Sequence, residues 1–203
     1  MKLFEPYTFI LASESPRRKA LLHEMGIKFE SVATAIDESI DPAWSNSEAA
    51  EQLAMAKAAS VPLSSTDDRT LVIAADTIVC VAGRILGKPA NAAEAREMLT
   101  ALSGSAHQVL TGVCIRSCRK SMVFHSATHV VFAPLTAEEI AYYVAAYRPL
   151  DKAGAYGIQE WIGLIGIQSI AGSYFNVMGL PTHRLFEALK DFIGVNNDVK
   201  EIQ

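Results

Sequence analysis

Phe9-Ile-Leu-Ala-Ser13-Glu-Ser15-Pro16-Arg17-Arg18 sets the first strand and the first helix of this chain side by side. An apolar run reads as a strand over about 8–13, and a helix over Pro16–Met25 follows it, stopped by Gly26. Ser15 suits the N-cap, because its hydroxyl can accept a hydrogen bond from an unpaired first-turn N–H. Pro16 suits the first helical position, where no N–H is required. Two arginines in the first turn oppose the helix dipole, which favours negative charge there. An anion held at that turn by free N–H groups and forked guanidinium donors would resolve the conflict. Ser13, Ser15, Arg17 and Arg18 are therefore candidate phosphate ligands. Short Ser-Pro-Arg strings and basic helix faces also occur on ordinary solvated surfaces, and these residues alone leave both readings open.

Outward from this stretch, helix and strand signals alternate. A second strand is expected at about 28–34 and a helix at about 46–60, where Ser45 and Glu48 have capping-box spacing. Leu71-Val-Ile-Ala-Ala-Asp76-Thr-Ile-Val-Cys-Val-Ala82 is apolar on both faces, as a central strand is. Ala82-Gly83-Arg84 turns it into Ile85-Leu-Gly87-Lys88-Pro89, and a helix is predicted over Ala92–Leu102. Segments 106–117 and 121–133 read as a long hairpin, and Thr136 and Glu139 open a helix to Tyr147. Residues 149–159 are glycine-punctuated and loop-like, short strands follow to about Ile170, and Pro181 opens a last amphipathic helix to about Ile193. The polar tail is expected to fray. Alternating elements with an antiparallel hairpin predict an α/β fold built on a mixed sheet with flanking helices.

With 203 residues, half of them hydrophobic, the chain can bury a substantial core as one domain or as two joined lobes. No apolar run reaches the ~18 residues of a membrane span, and the first residues lack a signal-peptide pattern, so a cytoplasmic protein is expected. A net charge of −4 argues against general nucleic-acid binding, though a few local cations can still hold a small phosphate ligand. Cys80, Cys114 and Cys118 lack metal-like pairing; Cys114 and Cys118 fall in strand-like sequence and read as buried thiols. His125 and His129 share a strand face without a third ligand and read as structural.

Asp76 stands out, because a carboxylate closing the run Leu71–Ala75 would be costly in a dry core. At the end of a strand such a group can bind a metal ion or act as a base toward water, or simply cap a turn. Asp37, Glu38, Lys57, Lys88, Asp151 and Lys152 each read alone as solvated charges. Together with Arg17 and Arg18 they would supply acids for a divalent cation and bases for a polyphosphate.

These motifs, in this order, resemble the Maf (septum-formation inhibitor-like) family of nucleoside triphosphate pyrophosphatases. The resemblance rests on Leu11–Arg18, Ala75-Asp76-Thr77, Gly87-Lys88-Pro89, Leu102-Ser-Gly104 with His107–Gly112, Asp151–Gln159, Gly172-Ser-Tyr and Asn176–Pro181, and so covers nearly the whole chain. The family commonly has Gly where Glu14 stands. The resemblance implies a single Maf-like domain over 1–203, an elongated mixed sheet in two lobes around a substrate cleft, akin to the ITPase fold. It implies hydrolysis between the α- and β-phosphates to a nucleoside monophosphate and pyrophosphate, with Mg²⁺ or Mn²⁺ required. Asp76 then maps to the proton acceptor, with Glu38, Lys57 and Lys88 as the other catalytic residues and Glu38 and Asp76 as metal ligands. Arg17, Thr77 and Gln159 map to the positions that separate substrate branches, and this combination is similar to the branch acting on dTTP and UTP, with modified pyrimidine triphosphates as further candidates. A Gln amide offers both a donor and an acceptor to a uracil edge, but a flipped amide would serve cytosine equally. The other readings are the same chemistry on another nucleotide, such as 7-methyl-GTP or inosine and xanthosine triphosphates, and a non-enzymatic nucleotide-binding regulator of cell division. A homodimer is suggested by the resemblance alone, and no nucleic-acid or membrane partner is expected.

Overall fold

The computed structural model describes residues 2–194. A seven-stranded sheet runs in the order β2 (Phe29–Ser31), β1 (Thr8–Leu11), β3 (Thr70–Val81), β5 (Ala106–Arg116), β6 (Ser121–Phe132), β7 (Ile167–Ala171), with β4 (Arg84–Leu86) paired to β3. β1 is parallel to both its neighbours, while β3, β5, β6 and β7 pair antiparallel. The mixed sheet follows from the two connection types. α1 (Pro16–Glu24) and α2 (Asn46–Ala59) supply crossovers between parallel strands, and a short turn at 117–120 joins β5 to β6. α3 (Ala92–Leu102), α4 (Ala137–Tyr147), α5 (Trp161–Gly166), α6 (Tyr174–Met178) and α7 (Thr182–Phe192) complete the α-helices of the described residues, beside short 3-10 turns at Lys2–Phe4 and Ala153–Ala155.

The caps read from sequence are present. Ser15 accepts from the Arg18 N–H with Pro16 behind it, and both capping boxes, Ser45/Glu48 and Thr136/Glu139, are closed in both directions. Three expectations are corrected. The segment before Ile170 is not all strand: residues 161–166 form α5, because Gly163 packs so tightly on the preceding turn that an added Cβ would lie 1.9 Å from Ile158 O. Cys118 sits in the β5–β6 turn and is half-exposed, whereas Cys80 and Cys114 are buried free thiols. β2 is shorter than expected, ending at Ser31, and the chain then runs through an irregular segment that carries Glu38. A further helix, α6, has no counterpart among the elements expected from sequence; it is capped by Ser173 and ended by Gly179 in a left-handed conformation. The tail beyond 194 lies outside the described residues.

β3 organises the core. On one face Leu71, Ile73 and Ala75 pack with Phe9, Leu11, Leu22, Leu185 and Leu189. Farther along the same face, Val79 and Val81 pack with Leu99, Leu102, Val130 and Tyr143. On the other face, Val72 and Ala74 meet Ala54 and Ala58 of α2, and Ile78 and Cys80 meet Ala49 and Ala50. Between the two apolar stretches lie Asp76 on one face and Thr77 on the other, so each face is interrupted at the same point. The sheet is continuous there, while the buried core of β3 is interrupted and half-buried Met178 packs against both stretches on the Thr77 face.

Asp76 therefore does not end β3. It lies at mid-strand, three residues beyond Ile73, the partner of the last residue of β1. The strand continues past it because β5 goes on pairing, with Gly112 opposite Asp76. Gly112 also sets the height of α2 over the sheet, since an added Cβ would lie 2.1 Å from Ala50 O. Replacing Gly112 with Ala should lower unfolding stability by at least about 2 kcal/mol, because backbone rather than a flexible side chain would have to move. Urea denaturation measures this; an unchanged midpoint would show that α2 is free to ride outward.

Candidate active site

The interruption of the core opens into a cleft of about 380 Å³. Each of the ten site residues read from the sequence lines it: Ser13, Ser15, Arg17 and Arg18 from the β1–α1 turn, Glu38 from the irregular segment, Lys57 from α2, Asp76 and Thr77 from β3, Lys88 after β4, and Gln159 from the loop before α5. Asp37 is not among the lining residues; its carboxylate accepts from the N–H and hydroxyl of Ser39 in a local turn.

Lys57 and Asp76 are buried, not solvated. Lys57 Nζ donates to Asp76 Oδ1 and lies 2.7 Å from Glu38 Oε1. Lys88 Nζ, more exposed, meets Glu38 Oε2 at 3.0 Å. Burial raises the pKa of Glu38, but bonds and charge from Lys57 and then Lys88 outweigh it and bring the value down to about 2. No hydrogen bond among the described residues reaches Asp76 Oδ2, which leaves that oxygen for a ligand or for water.

Across the cleft, the two arginines have separate roles. Arg18 is built in: its Nε donates to Gly179 O at 2.8 Å and its Nη2 to Thr77 Oγ1 at 3.0 Å. Burial pushes its pKa down, with the field of Asp76 acting in the other direction. The Thr77 hydroxyl then lies 3.0 Å from that of Thr111, which donates to Asn176 O. With Thr111's proton committed to that carbonyl, Thr77 is the donor to Thr111, and the order runs Arg18 to Thr77 to Thr111 to Asn176. Thr77 thus holds Arg18 in place. Arg17 instead reaches across to Asp151 at 2.8 Å. Glu14 is exposed and does not need the left-handed backbone a glycine would allow.

Several participants were missed from sequence. Lys152 lines the cleft with the other candidate bases, but its partners were not foreseen: it is buried between Asp151 at 2.7 Å and Glu160 at 3.1 Å. Glu160 also accepts from Tyr143 Oη, which itself accepts from Gly157 N. Asn176 is fully buried and donates to Val109 O and Thr128 Oγ1. The Ala-Gly-Ala run after Lys152 was a signal that its neighbourhood is packed. Gln159 lines the cleft with its Oε1 buried and without a partner. His125, by contrast, pairs with Glu51 and His129 is exposed.

A family-wide sequence profile described as Maf-like protein matches residues 8–192. The chain belongs to the Maf-like protein family. The dTTP/UTP pyrophosphatase of Phocaeicola vulgatus is 50% identical over 187 residues, 92% of this chain and 96% of its own. That of Porphyromonas gingivalis strain W83 is 48% identical, with 92% and 94% covered, and that of Bacillus cytotoxicus 48%, with 91% and 95%. The solved structure of the Staphylococcus aureus Ham1 protein aligns with 92% of this chain and 99% of its own at a TM-score of 0.44 and 16% identity.

The donor set of this Maf-like protein fits one mode of metal binding. Among the described residues no three His, Cys, Asp or Glu side chains gather as a cage. Two carboxylates, Glu38 and Asp76, face the cleft with Lys57 between them. Five cations (Arg17, Arg18, Lys57, Lys88, Lys152) and four carboxylates (Glu14, Glu38, Asp76, Asp151) line it, a net of +1. That is well short of a triphosphate's charge, and one or two carboxylates plus substrate phosphates is the way Mg²⁺ is commonly held.

Glu38 supplies a pH test. Its folded pKa of about 2 lies below the ordinary 4.5, so its contribution to stability is complete above 4.5 and is lost as pH falls toward 2. Unfolding of wild type and Glu38→Gln should therefore differ at neutral pH and converge across that window. A difference that stayed constant below pH 4.5 would contradict the ion pairs with Lys57 and Lys88.

Proposed function

We propose that this protein hydrolyses dTTP and UTP, and modified pyrimidine triphosphates of the same edge pattern, to the nucleoside monophosphate and pyrophosphate. The observation that carries the reading is the meeting of two groups in one cleft. The arginine-bearing N-terminus of α1 and the Asp76–Lys57–Glu38–Lys88 ion-pair group line the same cleft. The names of relatives near half identity over most of the chain supply the base preference. Three free cysteines fit the reducing cytoplasm as the setting.

Ser15, Arg17 and Arg18 would hold the polyphosphate against the first turn of α1, where dipole and N–H groups also favour an anion. Asp76 would accept the proton of the attacking water through Oδ2, while Lys57 keeps Oδ1 engaged and the carboxylate aimed. Lys88, exposed at the rim, would offset charge that develops on pyrophosphate as it leaves. Glu38 and Asp76 are the residues that would hold Mg²⁺ or Mn²⁺, which when bound neutralises phosphate oxygens and makes bound water more acidic. Gln159 would read the base with its unpartnered carbonyl oxygen, which suits the N–H of uracil and thymine.

Product analysis on a panel of nucleoside triphosphates with Mg²⁺ tests this. Monophosphate and pyrophosphate should appear, fastest from dTTP or UTP, and Asp76→Asn should lose about a hundredfold or more in kcat. Diphosphate and phosphate as products would reject the bond assigned, and preference for 7-methyl-GTP would reject the branch. Nucleotide binding without turnover would favour a regulator.

A further inference from the structure

We propose that Lys152, Glu160 and Tyr143 are positioning residues for base selection, tying Arg17 on α1 to the loop that carries Gln159; this rests on the nucleotide-hydrolase reading. The contacts form one unbroken chain. Arg17 meets Asp151 Oδ2 at 2.8 Å, Asp151 Oδ1 meets Lys152 at 2.7 Å, and Lys152 meets Glu160 Oε1 at 3.1 Å. Glu160 Oε2 then accepts from Tyr143 Oη, which accepts from Gly157 N at 3.1 Å. Both oxygens of each carboxylate are used, and the two cations and two anions balance.

Local geometry is shaped around this chain. Glu160 stands at the N-cap of α5 yet makes no capping bond; its carboxylate is turned inward. Gly157 makes room for it, since a Cβ there would lie 2.8 Å from Glu160 Cδ. Gly154 and Ala155 hold left-handed conformations between Lys152 and Tyr156, so the loop is folded tightly rather than extended. Burial raises the pKa of Asp151, while Lys152 and Arg17 outweigh it and hold the carboxylate ionised. Gln159, next to Glu160, contributes a buried carbonyl oxygen without a partner. An amide can separate uracil from cytosine only if it is held in one orientation, because a flip exchanges donor for acceptor. The chain anchors the Gly157 N–H and the Glu160 carboxylate, which flank Gln159 in the loop that aims its amide.

The test compares wild type, Lys152→Met and Tyr143→Phe as full-length proteins. The readouts are kcat/KM for UTP and CTP, affinity for the α,β-imido analogues of both, and thermal unfolding. The ratio of UTP to CTP should fall about tenfold in both variants, the scale of one or two lost polar contacts. Tyr143→Phe keeps the ring in the core and should remain folded even if Lys152→Met does not. Equal losses on both nucleotides, leaving the ratio intact, would reduce the chain to a structural brace and overturn the proposal. Absence of monophosphate and pyrophosphate from wild type would sink the hydrolase reading instead, and the ratio of analogue affinities would still decide the positioning role.

Discussion

A carboxylate buried at the middle of a central strand is tolerable only when something pairs with it, and Lys57 does so for Asp76. Much of the molecule is arranged around that meeting. α2 must lie close to the sheet to bring Lys57 down, and Gly112 clears the backbone for it. The apolar packing on each face of β3 must stop short of Asp76 and Thr77, and the gap becomes the cleft. A buried ion pair rarely gains stability over apolar packing of equal volume, because desolvation offsets the attraction. Its cost is consistent with retention for chemistry.

The same interruption explains how the molecule can have two cores on one sheet. β3, β5 and β6 are long enough to belong to both, and their pairing carries the backbone across the gap without loss of hydrogen bonds. Polar side chains at the crossing satisfy one another: Thr77 with Thr111 on one face, His125 with Glu51 on the other. The cleft is thus walled by two packed halves yet floored by a continuous ladder, which suits a site that must align charges from both sides.

Local chemistry made much of this legible in the sequence. Ser15-Pro16, Ser45 with Glu48, and Thr136 with Glu139 mark helix starts through bonds made within a few residues, and each is present. Asp76 declared itself as a polar break in an apolar run. The 161–166 helix was not legible because Ile-Gly-Leu-Ile-Gly has no decisive period, and its turn is set by packing on Ile158. The burial of Lys152 was not legible for a related reason: its partners Asp151 and Glu160 flank a loop whose fold depends on left-handed turns and on Tyr143 from another helix. Convergence of Arg17, Lys57, Lys88 and Gln159 is a property of topology, and spacing along the chain could not supply it.

The most direct measurement is the stability of the double variant Lys57→Met/Asp76→Val alongside its turnover of UTP. If the pair exists for chemistry, the unfolding midpoint stays equal to or above that of wild type while release of monophosphate and pyrophosphate is lost. A double variant that keeps wild-type turnover, or that loses several kcal/mol of stability, would contradict the account.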